Sequence, residues 1–293
     1  ANRYRMTDDE EAYLEKYGTV AYLVIQDDSI RYEEYREDWT PQKLSNIFSA
    51  TKSIVGLLVG IAYDEGFIES LDDKVSKYLP EFGEGDKITI RNLLSMSAGL
   101  DWDEAYTALI SKTTQAYYGD RIRDLIMDLK VVEEPGKKYS YKSGDTQLLS
   151  FVLEAALDKV HKEKEYEWGI FNHSPVSISE YAERKLWKPL GACNDALWNL
   201  DREDGDEKTY CCFNTTARDL ARLGRLILNK GNWNGRQLIS ETYLNEAITP
   251  AGYLENEFGD GSLDYYGFQI WIMHYKEMRF PAFRGLGGQY MFV

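Results

Sequence analysis

The pattern of apolar and polar positions predicts a hairpin and then a core helix at the start of the chain. Residues 18–36 form two β-prone runs around Asp27-Asp28, which is typical of a hairpin in an antiparallel sheet. Residues 49–66 place apolar positions at helical spacing and end on a glycine. They predict a mostly buried helix that begins at or just before Lys52.

The middle third of the chain has mainly helical spacing. Residues 88–100 predict a short strand-like entry into a helix that Gly99 ends. Further helical spacing occurs at 104–130, 144–160 and 178–188. The polar residues 161–176 fit no periodic pattern, so an exposed insertion loop is the favoured interpretation and a binding loop is the alternative.

The last third combines an amphipathic helix with β-prone runs. Thr215 or Thr216 begins this helix, and apolar, aromatic runs follow it at 265–275 and 288–293. Strands therefore open and close the chain around a helical middle. This order predicts an α/β (α+β) fold, with an antiparallel sheet flanked by helices and an inserted, mainly helical domain. The expected sheet domain comprises 1–75 and 205–293, and the expected helical domain comprises 76–204.

The net charge and the length of the longest apolar stretch argue against two kinds of partner, nucleic acid and the membrane interior. The chain has 34 Lys and Arg against 49 Asp and Glu, a formal net charge of −15 that repels nucleic-acid phosphate. The longest apolar stretch, 54–63, is about half of what a membrane-spanning helix needs. We expect no nucleic-acid partner and no membrane span. No charged-then-apolar leader follows Ala1, so we expect that any signal peptide has been removed or never existed.

Few residues are available to bind a metal or to form disulfides. Cys211 and Cys212 are neighbours that cannot easily close on each other without strain, and Cys193 leaves an odd number, so no disulfide framework is expected. The 3 histidines lack zinc-hydrolase spacing. No Walker loop, Gly-x-Ser-x-Gly elbow or dinucleotide fingerprint occurs. We expect neither a metal nor a cofactor.

Ser49-Ala50-Thr51-Lys52 is a Ser-x-x-Lys sequence, a pattern that can supply a nucleophile and a base. Residues three apart on a helix share a face, so the Lys52 amine would lie beside the Ser49 hydroxyl. The apolar helix that follows would place Lys52 in a dry environment that lowers its pKa. Two interpretations stay open for the tetrapeptide alone, an activated nucleophile or a capping serine with a lysine that reaches solvent.

The sequence around this tetrapeptide resembles the serine β-lactamase and penicillin-binding-protein superfamily, and the similarity extends over nearly the whole chain. The segments that carry it are IFSATKSIVGLLVGIAYDEGFIESLDDKVSKYLPEF, KITIRNLLSMSAGLDWDE, KYSYKSGDTQLLSFVLE and TTARDLARLGRLILNKGNWNG. The resemblance implies that Ser49 attacks a carbonyl and that Lys52 and Tyr141 move its proton. It also implies that Ser143 holds Lys52 and Tyr141 by hydrogen bonds. Alternatively, Tyr141 is an ordinary half-buried tyrosine and Ser143 only caps the following helix.

The third motif of the superfamily, Lys-Thr-Gly or Lys-Ser-Gly, is replaced here by residues 283–289, FRGLGGQ. The missing lysine favours the esterase and amidase branch, which includes carboxylesterases and 6-aminohexanoate-dimer hydrolases. Arg284 could replace that lysine only if it points inward. By resemblance, the N–H of Leu286 joins that of Ser49 in an oxyanion hole. The neighbouring residues expected to contact substrate are Gly285, Gly287 and Gln289.

The segment GLDWDEAYT contains two further candidates. Tyr106 falls where the nylon-oligomer hydrolases carry a second active-site tyrosine that closes over the substrate, and Trp102 lies in the same segment. We expect both to contact substrate. A surface-loop aromatic is the alternative for Tyr106.

In the superfamily, the strand that matches 288–293 is followed by another antiparallel strand and a C-terminal helix. Here the sequence ends at Val293. Three explanations stay open. The chain is a fragment, a second chain or a missing tail completes the sheet edge, or this protein has a curtailed sheet with an exposed edge.

Together, the residues and the resemblance predict a serine hydrolase acting on a small ester or amide. The alternatives are a β-lactamase or D-alanyl carboxypeptidase, and a non-catalytic binding or sensor module on the same fold. The superfamily is commonly periplasmic or secreted, but the sequence leaves the compartment open.

Overall fold

The computed structural model describes residues 4–108, 110–168 and 176–293, with the backbone alone over 160–168. The α-helices are α1 Asp8–Lys16, α2 Thr51–Asp64, α3 Ile90–Leu94, α4 Lys112–Tyr118, α5 Ile122–Met127, α6 Ser143–Trp168, α7 Ile178–Ala182, α8 Ala217–Leu228 and α9 Glu241–Ala247. The strands are β1 Ala21–Gln26, β2 Ser29–Tyr35, β3 Ser45–Asn46, β4 Leu197–Trp198, β5 Phe213–Thr215, β6 Asn232–Trp233, β7 Arg236–Gln237, β8 Trp271–Tyr275, β9 Met278–Arg284 and β10 Tyr290–Phe292. Short 3-10 turns occupy Phe48–Ala50 and Val75–Lys77, and a π-helical turn occupies Glu183–Trp187.

Among the described residues, the strands pair in four separate antiparallel sheets. β1 and β2 form the predicted hairpin, and Asp27 and Asp28 in its turn have φ of 51° and 55°. Two left-handed residues are what a tight hairpin turn requires. A second sheet has the order β10-β9-β8, and a third has the order β3-β5-β4. Helix α8 contacts both β1 and β10, so it connects the N-terminal hairpin to the C-terminal sheet.

Helix α2 lies in the centre of the hydrophobic core, with every residue from Thr51 to Ala62 buried. Two glycines let neighbours pack directly on its backbone. A Cβ at Gly60 would overlap the Tyr243 ring of α9, and the Tyr243 hydroxyl donates to the Gly56 carbonyl at 2.6 Å. This packing anchors the helix whose first turn carries Lys52.

Gln269, just before β8, forms hydrogen bonds with three helices. Its side chain accepts a hydrogen bond from Thr146 of α6 at 2.7 Å and donates to the Leu93 carbonyl of α3 at 2.8 Å. Its own carbonyl accepts from the Ser53 hydroxyl of α2 at 2.6 Å. Since Gln269 is only 1% exposed, these buried hydrogen bonds fix α2 and α6 relative to each other.

Two predictions about where helices lie need correction. Residues 161–168 continue α6, so the insertion-loop interpretation is wrong for them, and the remainder up to 175 lies outside the described residues. The stretch lacks an apolar period, but lysine and glutamate have high helix propensity. Conversely, residues 104–108 form no helix, and α4 begins only after Ser111, whose side chain caps it.

Strand β9 is missing from the predicted elements. Pro281, which cannot donate a ladder hydrogen bond, interrupts its pattern. The Pro281 carbonyl nevertheless accepts from the Val293 N–H at 3.0 Å.

Strand β10 pairs with β9 on one side, and none of the described strands pairs with its other side. Tyr290 and Phe292 on this strand are 50% and 58% exposed. A second chain or tail on this edge stays a prediction, as do the domain boundaries. None of the helices in the described ranges combines the length and apolar content that a membrane crossing requires.

Candidate active site

Ser49 lies in the 3-10 turn between β3 and α2, and local hydrogen bonds fix that turn. The N–H of Ile47 donates to the Phe213 carbonyl at 2.9 Å, and the N–H of Phe48 donates to the Asn46 side chain at 2.8 Å. Phe48 has a φ of 46°, in the left-handed region that a bulky residue occupies only when its surroundings hold it there. The chain therefore turns sharply just before Ser49, whose side chain stays partly exposed.

Lys52 is buried, with 1% of its surface exposed. Its Nζ donates to Ser49 Oγ at 3.0 Å and to the Tyr210 carbonyl at 2.8 Å. Burial lowers the pKa of Lys52 to about 8, against a smaller opposing effect of the Glu104 charge. A useful fraction of neutral amine is therefore present at mildly alkaline pH.

Tyr141 lies two residues before α6 and faces Ser49. The side chain of Ser49 is a hydrogen-bond partner of its phenol. Its ring centroid is 5.0 Å from Lys52 Nζ and 5.4 Å from the Trp271 ring centroid. Burial raises the pKa of the Tyr141 phenol well above its ordinary value, although the Ser49 hydrogen bond lowers it. Tyr141 therefore keeps its proton at neutral pH, so Lys52 is the better candidate for general base.

Ser143 binds Glu104 instead of the two residues that the resemblance implied. Its hydroxyl donates to Glu104 Oε1 and its N–H donates to Oε2, each at 2.6 Å. The expectation that Ser143 holds Lys52 and Tyr141 by hydrogen bonds is therefore wrong. The carbonyl of Tyr210 anchors Lys52 instead.

The two aromatic residues expected to contact substrate lie at different depths. Trp102 is 5% exposed, and a Cβ at Gly144 would lie 2.6 Å from its ring, so it packs beneath the site and offers little surface to a substrate. Contact between Trp102 and a substrate stays a prediction. Tyr106 is 46% exposed. The pKa of its phenol is raised mainly by partial burial, and Tyr141 and Tyr210 are close enough to add to the rise. Tyr106 therefore lies at the rim of the site.

The loop 285–289 approaches the Ser49 turn through a glycine. A Cβ at Gly285 would overlap the Ile47 carbonyl, so only glycine allows this close approach. The N–H of Gly285 donates to the Gln289 carbonyl at 2.8 Å, and the N–H of Gly287 donates to its side chain at 3.0 Å. In contrast, the N–H of Leu286 donates to no acceptor among the described residues. The loop thus brings a free N–H near the Ser49 turn.

Arg284, at the end of β9, points toward this site. Its guanidinium carbon lies 4.5 Å from the Trp271 ring centroid, and Trp271 in turn contacts Tyr141. The Arg284 charge acts on the pKa of Tyr141, opposing the larger rise that burial causes. Arg284 therefore points inward, as it must if it is to replace the missing lysine.

Cys211 and Cys212 form a disulfide, so the expectation that this pair stays open is wrong. Cys212 has a φ of 71°, a left-handed conformation that the expectation did not consider. Both cysteines are buried directly after Tyr210. Cys193 is free. Among the described residues, no three His, Cys, Asp or Glu side chains converge on a possible metal position.

Sequence reasoning did not single out Glu104, Tyr210 or Trp271. Tyr210 contributes a backbone carbonyl, which leaves no side-chain signal. Glu104 lies inside the segment quoted for the resemblance, beside Tyr106, but one carboxylate among 49 acidic residues carries no recognisable spacing. Trp271 lies within an aromatic, β-prone run, where nothing distinguishes it from its neighbours.

Comparison with known proteins shows the family to which the chain belongs. The chain is 28% identical over 274 residues to the 6-aminohexanoate-dimer hydrolase of Paenarthrobacter ureafaciens, covering 87% of this chain and 65% of that protein. It is 24% identical to Beta-lactamase-like protein 2 of Dictyostelium discoideum, covering 81% of this chain but only 46% of that protein. The chain thus spans less than two thirds of the length of each of these two curated relatives.

A solved structure with a similar fold is a Bacillus anthracis protein provisionally named as a 6-aminohexanoate-dimer hydrolase. It superposes with a TM-score of 0.81 at 23% identity, covering 97% of this chain and 72% of that one. The penicillin binding protein from Bacillus halodurans gives a TM-score of 0.63 at 18% identity, covering 96% and 92%. The model of the family described as Beta-lactamase matches residues 7–293. This chain therefore belongs to the Beta-lactamase family.

Proposed function

We propose that this protein is a serine hydrolase that cleaves a carboxylic ester or amide through an acyl-serine intermediate. The observation that carries the proposal is the hydrogen bonding of the Ser49 hydroxyl, with Lys52 Nζ at 3.0 Å and with the Tyr141 phenol. Nucleophilic acyl transfer needs a hydroxyl beside a group that accepts its proton and a group that returns one. Family membership and the hydrolase names of relatives support this chemistry.

The first half of the reaction forms the acyl-enzyme. Ser49 Oγ attacks the carbonyl carbon while its proton passes to the neutral amine of Lys52. Tyr141, which keeps its proton at neutral pH, donates a proton to the leaving alcohol or amine as the old bond breaks. In the second half, water attacks the acyl carbon and passes a proton to the Tyr141 phenolate that the first half left. The bond between the acyl carbon and Ser49 Oγ then breaks, Oγ takes a proton back from the Lys52 ammonium, and the carboxylic acid leaves.

The negative charge on the carbonyl oxygen needs hydrogen-bond donors in both halves of the reaction. We assign the N–H groups of Ser49 and Leu286 to this role. The free N–H of Leu286 and the close approach of Gly285 to Ile47 support the assignment. The substrate would then lie along the loop of Gly285, Gly287 and Gln289, with Tyr106 at the rim.

A β-lactamase or D-alanyl carboxypeptidase is the second candidate, and Arg284 favours it. The usual lysine is missing, but the Arg284 guanidinium beside Trp271 supplies a cation that a substrate carboxylate could meet. Hydrolysis of nitrocefin would favour this candidate.

Turnover of short p-nitrophenyl esters by the purified chain tests the proposal. Wild type should release p-nitrophenol over many turnovers, and Ser49→Ala should not. A single slow burst without turnover would instead support a binding or sensor module. Equal turnover by the two proteins would overturn the proposal.

A further inference from the structure

The carboxylate of Glu104 accepts four hydrogen bonds from residues of the candidate site. Oε1 accepts from the hydroxyls of Tyr106 at 2.7 Å and Ser143 at 2.6 Å. Oε2 accepts from the Trp102 indole N–H at 2.7 Å and the Ser143 N–H at 2.6 Å. Donors on both oxygens hold the carboxylate in one orientation.

These contacts join three parts of the site. Trp102 lies beneath it, Tyr106 lies at its rim, and Ser143 begins α6 two residues after Tyr141. The Ser143 N–H is one of the donors that a helix leaves unsatisfied at its N-terminus, and a carboxylate there is favoured by the helix dipole. Glu104 therefore fixes where α6 begins and, through the two-residue link, where Tyr141 lies.

All four donors to Glu104 are neutral groups, and none of the lysines or arginines in the described part of the chain forms an ion pair with it. Its charge instead acts on the active-site residues. Burial lowers the pKa of Lys52, and the charge of Glu104 partly opposes this lowering. Burial raises the pKa values of Tyr141 and Tyr210, and the charge of Glu104 raises them further. An uncompensated negative charge thus lies within electrostatic range of the proton acceptor.

We propose that Glu104 is a positioning residue with an electrostatic role: it holds the start of α6 and thereby Tyr141, and its charge stabilises the ammonium that forms on Lys52 during acylation. The inference rests on the proposed function. As the bond between Ser49 Oγ and the carbonyl carbon forms, the Oγ proton moves to Nζ, so a buried neutral amine becomes a cation. A fixed negative charge whose field reaches the buried amine favours that change.

The alternative is that Glu104 only caps α6. A cap affects geometry and stability, but it does not alter the pH at which Lys52 titrates. Ser49 from the 3-10 turn, Tyr141 before α6 and Tyr210 contact Lys52, and the charge of Glu104 also acts on it. Tyr141 and Tyr210 keep their protons well above neutral pH, so Glu104 is the charge that a pH profile can isolate.

The test compares Glu104→Gln, Glu104→Asp and the control Asp103→Asn. Gln removes the charge and keeps the length, whereas Asp keeps the charge and shortens the reach. Asp103→Asn removes one charge from the adjacent residue, and asparagine can still accept from the Lys112 N–H as Asp103 does at 2.6 Å. Each protein is assayed for ester kcat/KM from pH 6 to 9.5, and Lys52 is titrated by ¹³C NMR of lysine-labelled protein.

In Glu104→Gln we expect the midpoint of the acidic limb and the NMR titration of Lys52 to move down by about half a pH unit or more. We also expect kcat/KM on the plateau to fall about tenfold or more. Glu104→Asp should keep the wild-type midpoint but lose about tenfold in kcat, because Tyr141 is less well held. Asp103→Asn should match wild type in both.

Two outcomes would overturn the proposal. One is wild-type kinetics in Glu104→Gln, and the other is a loss of rate with an unchanged midpoint in both kinetics and NMR, which would make Glu104 a cap alone. If Glu104→Gln does not fold, Glu104→Asp decides, since unchanged kcat there would refute the positioning role. If wild type shows no turnover, the proposed function fails separately, while the NMR midpoints still test the charge of Glu104.

Discussion

Replacing Lys52 with methionine should change stability in a way that depends on pH. Methionine has nearly the same length but no charge, so it removes the cost of burying an ammonium. In the folded protein the pKa of Lys52 is about 8, against 10.5 for an ordinary lysine. The difference corresponds to about 3 kcal/mol of destabilisation at pH 7, where Lys52 is protonated in both states.

The sign follows from proton binding. Between the folded and unfolded pKa values the unfolded chain binds more protons, so wild-type stability gains from Lys52 as pH rises through this window. At pH 9.5 the remaining cost is about 1.4 kcal/mol, so about 2 kcal/mol of the difference between variant and wild type disappears between pH 7 and 9.5. Losing the hydrogen bonds to Ser49 and Tyr210 costs about 1 to 2 kcal/mol, nearly independently of pH.

The assay is urea unfolding of wild type and Lys52→Met at pH 7, 8, 8.5 and 9.5, with Lys43→Met as a control. Other titrating groups cancel in the difference between two proteins at one pH. Lys43 is exposed, so its replacement should give a difference that is flat with pH. A flat difference for Lys52→Met would refute the argument, because it would mean that the Lys52 amine is solvated in the folded state.

Further predictions concern rate and packing. Ser49→Ala should lower ester kcat/KM by about a thousandfold or more with nearly unchanged Tm, checked by steady-state kinetics and calorimetry, and a wild-type rate would contradict the assignment. Tyr141→Phe should lower kcat more than about a hundredfold in the same assay, and a loss of threefold or less would reduce Tyr141 to scaffolding. Gly60→Ala should cost about 1 to 3 kcal/mol in urea unfolding because its Cβ would overlap Tyr243, and an unchanged midpoint would mean that the ring moves freely. Arg284→Gln should reduce kcat/KM about tenfold for esters with a terminal carboxylate and little for neutral ones, whereas equal effects would show that Arg284 does not meet the substrate anion.

The sequence predicted the elements whose local signals are strong. The hairpin around Asp27-Asp28 and the apolar helix after Ser49 were predicted because turn chemistry and periodicity are local. Residues 161–168 were misjudged because a helix rich in lysine and glutamate has propensity without an apolar stripe. Strand β9 was missed because Pro281 obscures its pattern.

For the candidate site, the sequence could identify residue types but not their partners. The adjacency of Ser49 and Lys52 follows from helical spacing and agrees with their hydrogen bond. The bond from Lys52 to the Tyr210 carbonyl spans 158 residues and involves a backbone atom, so no pattern could predict it. Ser143 was assigned the wrong partners because Glu104, in an irregular loop, reaches α6 only through the tertiary fold.

Mass spectrometry after treatment with a fluorophosphonate tests the central claim most directly. The reagent phosphonylates a serine activated for nucleophilic attack, and peptide mapping then identifies the serine. We predict one adduct, on the peptide that contains Ser49, formed faster as pH rises through about 8 and absent from Ser49→Ala. An adduct on a different serine, or ester turnover without any adduct on Ser49, would contradict the account.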